Sequence, residues 1–187
     1  MKALISKYKL VIKFILTFLL VYAVLSFSYK LYLDYSDGSK YYPDYFTNLV
    51  AKQSTTLLNA VGYETLVEPH PDEASMMVYV NRKYVARVIE GCNGISVLIL
   101  FISFVIAFND KYKRTALFLL GGSVLIYSVN LIRIVLLSIG LFHYPWRRDV
   151  LHTVIFPLAI YGLVFVLWMV WVNHFSKQYK PKPTPSV

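Results

Sequence analysis

"EGCNGISVLILF", residues 90–101, is where this chain changes character. Before it, "MMVYVNRKYVARVIE" (76–90) alternates around Asn81, Arg82 and Lys83, the pattern of a β-hairpin or an extended strand pair. After it, "GISVLILFISFVIAF" (94–108) is an unbroken apolar run. Cys92, the only cysteine, stands at the border between Gly91 and Gly94. It is either a small hydrophobe at a membrane edge or a nucleophile held there.

The wider composition favours a bilayer. Of 187 residues, 57% are hydrophobic and 16% charged, whereas a soluble domain is nearer half apolar and a quarter charged. A single cysteine allows no internal disulfide, and no CxxC or Cys/His spacing suits zinc. The net charge of +9 does not point to nucleic acid, because the basic residues cluster at the ends of apolar runs. The 16 Tyr and 12 Phe fit aromatic belts at headgroup depth.

Four apolar segments are candidate spans: 10–33, 94–108, 115–142 and 152–172. A crossing of about 30 Å needs about 20 residues. The second segment is short, so its helix is expected to begin at or before Cys92. The first is longer than a signal-peptide core and shows no small-x-small cleavage site, which favours an uncleaved anchor. Lys2, Lys7, Lys9, Lys13, Lys111, Lys113, Arg114, Lys177, Lys180 and Lys182 then share the cytoplasmic side. The segment from Asp34 to Glu90, with eight acidic and five basic residues, lies outside. Arg147 and Arg148, in the short turn 143–151, are the exception.

The expectation is therefore an all-α integral membrane protein of four transmembrane helices, with both termini cytoplasmic and a small outer segment carrying the β-hairpin. Residues 1–33 form the N-terminal tip and first helix, 34–90 the outer segment, 91–172 a three-helix core and 173–187 a cytoplasmic tail. Within the outer segment, 43–60 reads as a short helix on the membrane surface and "VEPHPDE" (67–73) as a turn or loop. The tail "KPKPTPSV" reads as Pro-rich and disordered.

Depth brings separate residues together. Cys92 opens the second span. Arg133 lies 18 residues beyond Thr115 (133 − 115), roughly 27 Å along a helix. His152 starts the fourth span. All three fall at the outer leaflet, and an arginine within a span is a functional hypothesis by default. A thiolate is the nucleophilic form of cysteine, and a cation or helix N-terminus favours it. His152 has the chemistry of a general acid or base. Arg133 can stabilise an oxyanion or the thiolate itself. Asn130, three residues before Arg133, shares its face and would orient the guanidinium or donate to substrate. Gly91 and Gly94 would let a substrate backbone approach.

Each residue also has an ordinary reading. Cys92 would be inert packing, Arg133 a snorkelling interfacial cation and His152 an interfacial residue. His143, also outside, competes with His152. Asp149 would orient His152 or be a plain loop carboxylate. Gly121 and Gly122 suit close helix packing. Glu90, two residues from Cys92, opposes a thiolate unless it points away or pairs with Arg87 or Arg133.

"EGCNGI" opening a span, "NLIR" late in the next and a histidine at the start of the last resemble the exosortase/archaeosortase family, most closely its short exosortase F branch. The resemblance covers roughly residues 76–172. It implies a multi-pass cysteine transpeptidase of the bacterial inner membrane, with its site on the periplasmic side. The family's Cys, Arg and His fall on Cys92, Arg133 and His152, and the chemistry needs no metal or cofactor. Implied partners are exported proteins with a C-terminal tail of short motif, transmembrane helix and basic cluster. The chain departs from the larger exosortases, which have more spans, and that bears on the substrate signal. The competing reading is a non-catalytic membrane assembly or scaffold protein, for which Cys92 would be dispensable.

Overall fold

The structure is a computed structural model that describes residues 8–36, 38–108 and 111–175. The expectations for the first seven residues and for the tail "KPKPTPSV" lie outside these.

Helix α1 (Lys9–Tyr35) has 27 residues and buries none of them in the protein. Leu16, Leu19, Leu20 and Phe27 stand exposed along it. Such a surface is stable only in hydrocarbon. After a connector, helix α2 (Tyr45–Ala60) begins at Asp44, whose carboxylate accepts from the backbone N–H groups of Phe46 and Thr47 at 3.0 and 3.1 Å. Its apolar face, Val50, Ala51 and Leu58, is buried against Met76, Val78, Val80 and Val88. The expected helix at 43–60 is therefore present, but its buried face meets the protein's own sheet rather than a membrane surface.

The chain is mostly helical, but its segment between the first two membrane helices carries a three-stranded sheet, one strand more than a hairpin. Strands β1 (Thr65–Pro69), β2 (Ser75–Val80) and β3 (Lys83–Ile89) form an antiparallel sheet in the order β1-β2-β3. The β2–β3 turn places Asn81 and Arg82 at φ 48° and 65°. Two successive positive-φ residues make a turn whose twist matches that of its strands. The Asn81 side chain also accepts from the Glu64 N–H at 3.1 Å, tying the turn to the base of β1. Part of "VEPHPDE", expected as turn or loop, is strand: Val67, Glu68 and Pro69 pair with Val78, Met77 and Met76. A five-residue strand ending in proline carries little alternation to read, so only its partner reveals it.

Helix α3 (Ile95–Ala107) has 13 residues, about 20 Å of length. It does not reach back to Cys92 as expected. Residues Glu90–Cys92 form a 3₁₀ turn, and Gly94 takes a left-handed conformation at φ +85° that breaks the helix there. Helix α4 (Tyr112–His143) has 32 residues. Helix α5 (Pro145–Asn173) has 29 and swallows most of the expected 143–151 turn. The expected count of four full spans thus becomes, among the described residues, three helices long and apolar enough to cross, α1, α4 and α5, with α3 a shorter apolar helix. The chain is a multi-pass membrane protein.

Inside α5, Leu151–Ile155 is π-helical before regular helix resumes at Phe156. Pro157 has no N–H to give to the carbonyl four residues back, so the turn before it is free to widen. Helix α3 packs against α1, α4 and α5. The shared core is Val97, Phe101, Val105, Ile126, Ile160, Val164 and Trp171.

Two substitutions probe this packing. A methyl group at Gly122 would overlap the ring of buried Phe101, whereas one at Gly121 meets nothing within 4 Å. Gly122→Ala should therefore destabilise by about 1–3 kcal/mol and Gly121→Ala should be near neutral, measured by thermal unfolding in detergent. Asp44→Ala removes the α2 cap and should cost about 1 kcal/mol in the same assay.

Candidate active site

The five residues Glu90 to Gly94 point in different directions, and their surroundings assign each a different task. Cys92 is buried, at 9% exposure, on the last residue of the 3₁₀ turn. It lines two adjoining cavities. The smaller, of about 200 Å³, brings Cys92 together with Arg133 of α4 and His152 of α5. The larger, of about 500 Å³, is bounded by β3, Cys92, Leu137, Leu141, Arg148, Asp149 and His152. The three residues singled out from sequence, on three separate elements, therefore meet at one cavity.

Electrostatics in the smaller cavity are one-sided. Arg133 is its only Lys, Arg, Asp or Glu, set among Ile89, Val97, Leu137, Phe156, Ile160 and other largely apolar groups. Its Nε is buried without a hydrogen-bond partner among the described residues. An unsatisfied buried donor costs about 1–3 kcal/mol. A guanidinium in low dielectric attracts whatever negative charge enters, whether a thiolate or a carbonyl oxygen gaining charge.

Glu90 does not oppose this. It lines a separate cavity on the α1 side with Tyr29, Lys30, Asp34 and Ser96. Arg87, one of its expected partners, pairs instead with Glu73. The 3₁₀ turn separates the two side chains that adjacency in sequence had set against each other.

Asn130 departs from its expected role. It is 1% exposed, and its Nδ2 donates to the Cys92 carbonyl at 2.9 Å. It braces the cysteine's backbone rather than orienting the guanidinium. Gly94 is likewise structural: its Cα faces the Asn130 amide, and a Cβ there would meet Nδ2 at 3.1 Å. Gly91 fits the access role better. It is exposed, lines the smaller cavity, and a Cβ there would touch only the tip of Ile89 at 4.0 Å.

Asn93 was missed from sequence. It is fully buried; its Nδ2 donates to the hydroxyls of Tyr29 at 2.7 Å and Thr47 at 3.2 Å. Its Oδ1 accepts from the Ile95 N–H at 2.9 Å. One side chain thus ties the cysteine turn to α1 and α2 and caps α3. The available signal was an asparagine just before an apolar helix, whose side-chain oxygen can accept from the N–H two residues on, as in an Asx turn.

Among the histidines expected outside, His143 sits at the end of α4 with its Nε2 3.0 Å from the Tyr63 hydroxyl. It lines neither cavity around Cys92, whereas His152 lines both. His70 braces the β1–β2 connection, its Nδ1 accepting from the N–H groups of Asp72 and Glu73 at 3.2 and 3.1 Å. His152 is not the first residue of its helix but lies inside the widened turn of α5. Asp149 lines the larger cavity beside it, with no hydrogen bond between the two. Among the described residues there is no cluster of three or more His, Cys, Asp or Glu fit to hold a metal.

No curated protein and no solved structure matches the chain. A model of the transmembrane exosortase family does match, over residues 6–173, and so takes in every helix, the sheet and both cavities. With its multi-pass architecture and a cysteine, an arginine and a histidine gathered at one cavity, the chain belongs to the transmembrane exosortase family.

Proposed function

We propose that this protein is a cysteine transpeptidase or protease that cleaves the C-terminal sorting tail of exported proteins at the outer face of the bacterial inner membrane. The observation that supports this most directly is the cavity shared by Cys92, Arg133 and His152. Membership of the exosortase family supplies the reaction type. The distribution of Lys and Arg supplies the orientation, with both termini cytoplasmic and the cavity outside.

In this reading the Cys92 thiol gives its proton to His152 and its sulfur attacks the carbonyl carbon of the scissile peptide. The oxygen takes up negative charge beside Arg133, which lowers the barrier because the donor is already in place. His152 passes a proton to the leaving nitrogen, the C–N bond breaks, and the membrane-anchored C-terminal fragment departs. A thioester between Cys92 and the remaining chain is left. A second nucleophile, water or an amine, attacks that thioester, and its proton passes by way of His152 to the departing sulfur, which restores the thiol. Asn130 and Asn93 position Cys92 through its backbone. The apolar wall of the cavity suits a substrate whose cleavage site adjoins a membrane helix.

Cys92→Ala should abolish processing of tail-bearing exported proteins, by about a thousandfold or more, while the protein still inserts. Arg133→Ala should lower processing about a hundred- to a thousandfold, as removal of an oxyanion donor does, and His152→Ala should be similarly impaired. Processing is read by immunoblot of precursor and mature forms; normal maturation in Cys92→Ala would leave the scaffold reading standing. A membrane-impermeant maleimide added from the outer side should modify Cys92 in intact spheroplasts. Protection from it would contradict the assigned orientation.

A further inference from the structure

We infer that the substrate polypeptide binds as an added strand on the free edge of β3, which runs directly into Cys92. The inference rests on the peptidase reading above and specifies how that site recognises its substrate.

The sheet order β1-β2-β3 leaves β3 paired on one side only. Its other edge carries backbone N–H and C=O groups with no backbone or side-chain partner among the described residues. The larger cavity lies along this edge. Side chains alternate between the two faces of a strand, so a cavity against one face touches every second residue. Here Tyr84, Val85, Ala86, Arg87 and Ile89 all contribute. A register irregularity at the Val78–Tyr79 level accounts for part of that succession. It does not account for all of it. Ala86 pairs with buried Val78 on the inner face, while Arg87 and Ile89 belong to the outer face. A space lined from both faces lies over the edge itself.

Leu137, Leu141 and Arg148 of α4 and α5 complete the lining together with Cys92 and His152, and Val85 and Ala86 of β3 touch the Leu137–Leu141 cluster. An occupant of about 500 Å³ that fills it meets both the unpaired strand backbone and the cysteine. Extended polypeptide is the chemistry that satisfies both, since main-chain hydrogen bonds supply affinity and the strand direction delivers a carbonyl to the sulfur. An exposed edge of this kind is otherwise a liability for unwanted pairing. Recognition through backbone also tolerates varied side chains in the substrate.

The test uses the full-length protein in detergent and a probe that needs no known substrate. N-acetyl-tetra-alanyl chloromethyl ketone alkylates Cys92, the sulfur displacing chloride, and intact-protein mass spectrometry follows the rate. Chloroacetone carries the same electrophile without a peptide. The tetra-alanyl reagent should react at least about tenfold faster. Methylating single peptide nitrogens of the probe should slow it about tenfold at alternate positions and less than twofold between them, because only every second N–H of an added strand faces its partner. Equal rates for the two reagents, or equal effects of methylation at every position, would overturn the inference. Alkylation requires no turnover, so the processing assay with Cys92→Ala judges the peptidase reading separately from strand pairing.

Discussion

The hydrogen bond from the Asn130 amide to the Cys92 carbonyl fastens the cysteine turn to α4. It can form only because Gly94 lets α4 approach the cysteine turn without a Cβ in between. The same glycine, in its left-handed conformation, ends the turn and starts α3 in a new direction. In surroundings poor in water such a bond has few competitors, and leaving either partner unsatisfied costs more than the bond itself contributes. Everything that makes Cys92 useful depends on this joint. The sulfur faces the cavity, Glu90 faces α1, and the strand before it arrives with its free edge toward α4 and α5.

The site is assembled from elements that would not hold it alone. Cys92 belongs to a three-residue turn, Arg133 to the interior of a long helix and His152 to a widened stretch of another. A 13-residue α3 gives the turn little support from within. The support comes sideways, from Asn93 reaching Tyr29 and Thr47 and from Asn130 reaching across from α4. Two buried asparagines, neither placed for chemistry on substrate, carry the geometry. The small outer domain matters for the same reason. Its sheet and α2 form a core with Cys92 and Ile134, so the cysteine is held within a hydrophobic cluster rather than on a loose loop.

Arg133 shows the cost of such a site. Its buried Nε lacks a partner, and its cavity holds no carboxylate to neutralise it. A structural arginine at this depth would be expected to pair or to snorkel free. An orphaned buried Nε costs stability in the empty protein, and a negative charge entering the cavity would find a donor already in place.

Much of this was legible in the chain itself. Apolar length and the placement of lysines gave the membrane class and the long helices, because a bilayer imposes a composition that no tertiary contact alters. Helical rise alone put Cys92, Arg133 and His152 at a similar depth, because 1.5 Å per residue is fixed by the backbone. Rise says nothing of direction around an axis. The inward face of Asn130, the outward turn of Glu90 and the choice of His152 over His143 all depend on helix rotation and on one left-handed glycine. Strand β1 was hidden because its five residues have no pattern apart from the β2 they pair with. Sequence determined which residues share a depth, through lengths that are local quantities. Tertiary structure decided which of them face one another, because that is set by packing between elements distant along the chain.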